Sequence, residues 1–204
     1  MKIAIIGSGN VGGALAQQWI KFGHTVLIGA KFPLSEKNIL LATKIGEDRF
    51  AAIENAVKQS DVILIATPPT AIFDIIEKLG NVSGKVIIDA TNSIAKSPEP
   101  YKTVYHALAD KTNGEIVKCF NTTGYENMLN PVYHGEAIDM FMAGESENAK
   151  SVVKQLALDC GFASCIDFGK SDKVELLEKF ALSWINLAIM QGHGRDMAFK
   201  VVRR

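Results

Sequence analysis

Short, nearly continuous apolar runs alternate with amphipathic stretches along this chain. The runs "KIAII" (2–6), "TVLIG" (25–29), "DVILIA" (61–66) and "KVIIDA" (85–90) are rich in β-branched residues and bounded by turn residues. They lack the in–out alternation of a half-exposed strand, which predicts parallel strands buried on both faces. Between them, Val11, Leu15, Trp19 and Phe22 recur at helical spacing, as do Ile72, Ile75, Ile76 and Leu79. Strand, helix and strand in this rhythm predict right-handed βαβ units and an α/β, doubly wound, mostly parallel sheet.

The second half continues the pattern more loosely. "EIVKCF" (115–120), "DMFMAG" (139–144) and "ASCIDF" (163–168) read as strands. A helix is expected over 146–161, with Ser146 as N-cap and Gly161 at the C′ position. A last helix is expected from about 173 to 190. Pro68-Pro69 and the "SPEP" of 97–100 mark loops. Because the alternation runs past the boundary-like stretch 92–101, we expect one domain over 1–204, with residues from about 170 to 204 as a small helical C-terminal part.

Composition narrows the classes. With 48% hydrophobic and 22% charged residues, the chain has the makings of an ordinary globular core. Its 22 basic and 22 acidic residues cancel, which argues against a broad nucleic-acid or anionic-membrane surface. No apolar run approaches the roughly 20 residues of a membrane span. No signal-peptide pattern precedes the glycine turn. Cys119, Cys160 and Cys165 are odd in number and lack metal-type spacing, so they read as structural thiols of a cytoplasmic protein, with no metal site.

The chemistry-bearing motif is Gly7-Ser8-Gly9-Asn10-Val11-Gly12, a GxGxxG that follows one predicted strand and opens a helix. Gly7 permits the tight turn, Gly9 lets the backbone approach a pyrophosphate, and Gly12 lets helix and strand pack closely. Unpaired N–H groups at the helix start would meet the phosphates. Such sites usually carry an acidic residue at the end of the second strand, to bind the adenosine ribose. Here Ala30 and Lys31 stand there. Ala30 leaves room for a 2′-phosphate and Lys31 offers it a cation, so NADP(H) is expected over NAD(H). A charge pair on such a partly exposed site is worth about 1 kcal/mol or more, or roughly tenfold. Lys37 either adds to this pocket or lies on an outer helix face.

Further ligand contacts are expected at the carboxyl ends of later strands. Ala66 and Thr67 would border the cofactor, with Pro68 stiffening the turn. Thr91 and Asn92 would reach a ribose or the nicotinamide carboxamide, unless Asn92 serves only the turn.

These segments together resemble the NADP-dependent coenzyme F420 reductases and their "predicted dinucleotide-binding" relatives, with the reductase domains of the STEAP proteins as more distant cousins. The resemblance rests on "IGSGNVGGALAQQWIKFGHTVLIGAK" (6–31), "SDVILIATP" (60–68), "GKVIIDATN" (84–92), "VKCFNTTG" (117–124) and the helix-like "LEKFALSWINLAIMQGHG" (177–194). Where that family often has Ser-Arg, this chain has Ala30-Lys31, keeping the cation and losing the hydroxyl. The resemblance implies a Rossmann-like homodimer that uses NADP(H) with a flavin or deazaflavin co-substrate as the small-molecule redox acceptor. "FNTTG" (120–124) would lie near the nicotinamide, making Asn121 and Thr122 candidates for that pocket, and Gly124 would leave space for the second ring.

Hydride transfer between stacked rings needs position more than acid–base help, so no catalytic base is nominated. His24, His106 and His134 offer none, His193 in "QGHGRD" is the one histidine placed to touch a substrate or dimer partner, and Trp184 and Met190 read as core or dimer-interface residues. Two other readings remain: reduction of a small hydroxyacid or imine, which calls for a larger helical substrate domain, and dinucleotide sensing without turnover.

Overall fold

The computed structural model describes residues 1–33 and 35–204, the side chain of Lys37 excepted, so the expectation for Lys37 lies outside the described residues. The first half follows the expected rhythm. Strand β1 (Lys2–Ile6) leads into helix α1 (Asn10–Phe22), then β2 (Thr25–Gly29), α2 (Glu36–Ile45), β3 (Phe50–Ala51), α3 (Ile53–Lys58), β4 (Val62–Ile65), α4 (Ile72–Leu79) and β5 (Val86–Asp89). Helix α5 (Val104–Lys111), β6 (Glu115–Cys119), α6 (Tyr125–Leu129), the hairpin β7 (Val132–Tyr133) and β8 (Glu136–Ala137), β9 (Asp139–Gly144), α7 (Glu147–Asp159), β10 (Ser164–Asp167) and α8 (Val174–Ile185) complete the order.

Eight strands form one sheet in the order β10-β9-β6-β5-β4-β1-β2-β3. Every pairing is parallel except β6 with β9, where Lys118 faces Ala143 in antiparallel register. The departure has a topological cause. From β6 to β9 the chain passes through a five-residue helix and a hairpin that stay on one side of the sheet. It therefore re-enters at the edge it left, and β9 must run backwards.

Alternate residues of each strand feed two cores. Ile3, Ile5, Leu64 and Ile88 pack with Leu15 and Trp19 of α1 and Leu156 of α7 on one face. Ala4, Ile6, Ile63 and Ile87 pack with α3, α4, α5 and α8 on the other. Both faces of the central strands are thus covered, which is why their sequences are continuously apolar. Buried Trp19 also donates its indole N–H to the Leu156 carbonyl at 3.0 Å, tying α1 to α7. Two positions of the expected stripes behave differently: Phe22 is exposed and Ile76 is only partly buried. At α7, the Ser146 side chain accepts a hydrogen bond from the Ala149 N–H, and Gly161 takes the left-handed φ of 92°. The last helix runs as α8 to Ile185 and ends in a π-turn over Asn186–Met190, and residues 191–204 are irregular rather than helical. That tail returns to the body, where the Met197 carbonyl accepts from Trp184 Nε1 and Asn127 Nδ2.

Candidate functional site

The carboxyl ends of β1, β2, β4, β5 and β6 line a crevice, centred where the strand order reverses between the parallel neighbours β1 and β4. At its centre is the glycine turn. Gly7 has φ 120°, and a Cβ there would overlap the Ala66 carbonyl oxygen. A Cβ on Gly12 would overlap the Gly7 carbonyl oxygen, so helix and strand approach only because that methyl is missing. Around Gly9, by contrast, a Cβ would meet nothing within 4 Å. The fold does not need that glycine; open space lies beside it. Gly9 caps α1 without a side-chain bond, and the first turn holds no acidic residue. The N–H groups at the start of a helix have no intrahelical partner, so this end is open to an anion.

A cleft of about 530 Å³ runs from Gly7 and Ser8 past Ala30 and Lys31 to Thr67 and Lys78. Lys31 is exposed, and its ammonium lies 5.8 Å from the Phe32 ring centre. Among the described residues it pairs with no carboxylate. Lys78 on α4 faces the same cleft, with Asp74 and Glu77 beside it. Spacing alone did not reveal Lys78, because a lysine on an amphipathic helix looks like any solvated one. Asn10 and Gly9 face a second hollow of about 400 Å³ between α1, α2 and α6. Val11 and Ala66 are partly buried and pack against the core. Pro68 is exposed and does not line the cleft.

Farther along the edge, Asn92 and Asn121 meet. Asn92 Nδ2 donates to the Asn121 carbonyl at 2.8 Å, and Asn121 Nδ2 donates to Asn92 Oδ1 at 3.0 Å. Phe120, just before Asn121, is a non-glycine residue at φ 58°, a strained conformation that the buried ring edge-on to Trp19 holds in place. Thr122 turns the other way: its hydroxyl faces the Met140 sulfur in the core. Gly124 does not leave the expected free space, because a Cβ there would already crowd the Trp184 indole at 2.9 Å. Trp184 itself is buried, while Met190 is 65% exposed.

Beneath this edge lies a cluster absent from the sequence expectations. Lys118, fully buried on β6, donates to Asp89 Oδ2 at 2.9 Å and to Glu178 Oε1 at 2.5 Å. Asp89 Oδ1 accepts from the Thr91 N–H, and Glu178 Oε2 from the Ser93 N–H. Burial pushes the Glu178 carboxyl above its ordinary value, against the pull of the Lys118 ammonium. A lysine among the buried apolar residues Ile116, Val117 and Cys119 was the available signal, since a buried ammonium requires carboxylate partners.

The histidines stay out of the crevice, His24 pairing with Asp159 at 2.8 Å. Burial pushes the Cys119 and Cys160 thiols up, away from the reactive thiolate form. Among the described residues no cluster of side chains could hold a metal ion, and no helix is long and apolar enough to cross a membrane.

A doubly wound sheet with a GxGxxG turn at its crevice defines a Rossmann-type α/β protein. Residues 2–93 match the family described as NADP oxidoreductase, coenzyme F420-dependent. Across 100% of both chains the fold is similar to a protein of Arthrobacter sp. FB24 named for F420-dependent NADP reductase activity, at TM-score 0.87 and 24% identity. A hypothetical protein from Sinorhizobium meliloti is similar over 100% of this chain and 96% of its own, at TM-score 0.72 and 22% identity. An imine reductase from Aspergillus terreus, solved with NADPH4 and dibenz[c,e]azepine, is similar over 94% of this chain at TM-score 0.67 and 20% identity, and the match spans 63% of that enzyme.

Proposed function

We propose that this protein is an NADP(H)-dependent oxidoreductase that passes hydride between the nicotinamide and a flavin- or deazaflavin-like ring. One observation carries the reading. Among the described residues, the buried side-chain atoms without a hydrogen-bond partner are Thr67 Oγ1, Thr91 Oγ1, Ser93 Oγ and Asn121 Oδ1. All four sit past the carboxyl ends of β4, β5 and β6, on the edge that carries the glycine turn. A buried polar atom without a partner is costly, so four on one edge mark a surface that a polar ligand completes.

Bound NADP(H) supplies the hydride chemistry. The chain's part is placement. The turn at Gly7, Ser8 and Gly9 and the first N–H groups of α1, at Asn10, Val11 and Gly12, hold the pyrophosphate. Ala30 leaves room for the 2′-phosphate and Lys31 counters its charge. Ala66 and Thr67 border the dinucleotide. Thr91, Asn92 and Asn121 orient the nicotinamide end, Asn121 Oδ1 accepting from the carboxamide. The acceptor stacks elsewhere than over Gly124, which Trp184 covers.

The same proposal has the protein act as a homodimer in the reducing cytoplasm. Three free cysteines fit that compartment. Ile189 and Met190, exposed just after α8, offer apolar surface for the dimer contact.

The test is a titration of the purified protein with NADPH and NADH, followed by NADPH oxidation assays with FMN, FAD and coenzyme F420. Tighter binding of NADPH with turnover of one of these rings supports the reading. A second reading, imine reduction, is favoured by the fold likeness to the Aspergillus terreus enzyme. Turnover of a cyclic imine but of no flavin would establish it instead. Binding with no turnover in either assay would point to a dinucleotide sensor.

A further inference from the structure

A buried lysine against two buried carboxylates does not balance. Lys118 carries one positive charge, Asp89 and Glu178 two negative ones, and the Lys118 and Asp89 side chains are fully buried. The remaining hydrogen bonds to the carboxylates come from the backbone N–H groups of Thr91 and Ser93. Those neutral donors orient the carboxylates without cancelling their charge. The other charged groups near Glu178 are Lys102, Glu175 and Lys179, which line a small hollow on its outer side. Lys102 and Glu175 pair with each other at 3.1 Å in solvent, where screening leaves them little influence.

The position of the excess charge matters. Thr91 and Ser93 flank Asn92, so the two carboxylates grip the backbone on either side of the residue that holds Asn121. Both Thr91 and Asn121 carry an unpartnered buried oxygen. The negative charge is therefore built into the root of the segment to which the nicotinamide end is assigned above, and the inference rests on that assignment.

We propose that the Lys118–Asp89–Glu178 cluster is a charge-tuning device that makes this site bind the oxidised, cationic nicotinamide more tightly than a neutral cluster would, relative to the reduced, uncharged ring. The physical basis is Coulombic. The nicotinamide ring gains a positive charge when it gives up hydride, and a fixed negative charge in a poorly solvated site attracts only that form. Such an interaction favours hydride leaving NADPH and shifts the bound couple toward NADP+. Glu178 also joins α8 to β6 and to the segment that follows β5, so the C-terminal helix takes part in setting the site's charge.

The experiment measures dissociation constants for NADP+ and NADPH at pH 8, in the parent protein and in Glu178→Gln, Asp89→Asn and Glu178→Asp. The first two variants each remove one negative charge from a different element, while the third keeps it. In Glu178→Gln and Asp89→Asn, the ratio of the NADP+ constant to the NADPH constant is expected to rise about fivefold, the scale of a unit charge acting across a partly solvated site. Glu178→Asp should leave the ratio at the parent value. Weakening of both forms by the same factor would assign the cluster a purely structural role and overturn the inference. So would an unchanged ratio in either neutralised variant that still folds. Should the parent protein bind neither form, the dinucleotide reading of the site falls first, and the tuning role with it.

Discussion

Asn92 and Asn121 exchange hydrogen bonds across the ends of β5 and β6, with Nδ2 of each as the donor, at 2.8 and 3.0 Å. The arrangement uses the Asn121 donor and leaves its Oδ1 buried and unpartnered. An acceptor held this way suits a carboxamide N–H. Asn121→Ala is expected to weaken NADPH binding about tenfold, the loss of roughly one well-placed hydrogen bond, and to cost about 1 kcal/mol of stability from the broken pair. Thr122→Val makes the control, because its hydroxyl faces the Met140 sulfur. Titration of both variants should separate them, with NADPH affinity kept in the threonine variant.

Two glycines of the same turn should fail differently. A methyl at Gly12 would overlap the Gly7 carbonyl oxygen, which cannot retreat without shifting strand or helix. Gly12→Ala is therefore expected to destabilise the fold by about 1–3 kcal/mol or more. Gly9 has φ −72° and ψ −169°, open to any residue, and its methyl would meet nothing. Gly9→Ala should hold stability within about 0.5 kcal/mol while lowering dinucleotide affinity at least about tenfold, as the methyl occupies the pyrophosphate's path. Thermal melting paired with NADPH titration distinguishes the two. Equal loss of affinity and stability at Gly9 would show that it serves packing alone.

Lys31 and Lys78 both line one cleft. Lys31→Ala is expected to reduce the preference for NADPH over NADH about tenfold, and the double variant with Lys78→Ala to remove most of what remains. The preference of the parent should also shrink as salt rises, since both ammonium groups act in a solvated cleft. If Lys31→Ala leaves the NADPH-to-NADH ratio untouched, the lysine is a solvated loop residue.

The parallel core was legible because burial on both faces writes itself as unbroken β-branched runs. β1 and β2 have the expected bounds, and β4 and β5 differ by a single residue at each end. The glycine turn was legible for a similar reason, since a close backbone approach admits no other residue. The backward run of β9 was not, because strand direction depends on where a connection returns and not on the strand's own pattern. The two-residue β3 and the hairpin of β7 and β8 are too short to show a period. At the site, Gly124 read as free space, but the indole that fills it comes from Trp184, far along the chain. The Lys118 cluster joins residues from β5, β6 and α8, so only its lysine, misplaced in an apolar run, could have signalled it.

Glu178 gives a pH dependence whose sign can be worked out. Burial raises its carboxyl in the folded protein above the 4.5 of an unperturbed glutamate, Lys118 opposing only in part. A group raised on folding contributes stability that is fully present below its unfolded value and is lost as pH climbs through the folded one. Glu178→Gln does not titrate and so carries no such loss. The stability of the glutamine variant relative to the parent should therefore improve as pH rises from below 4.5 through the folded value, then level off. Melting temperatures of both proteins over one pH series test this, other groups cancelling in the difference. A variant that instead loses ground as pH rises would mean that Lys118 holds the glutamate's charge more strongly than burial opposes it.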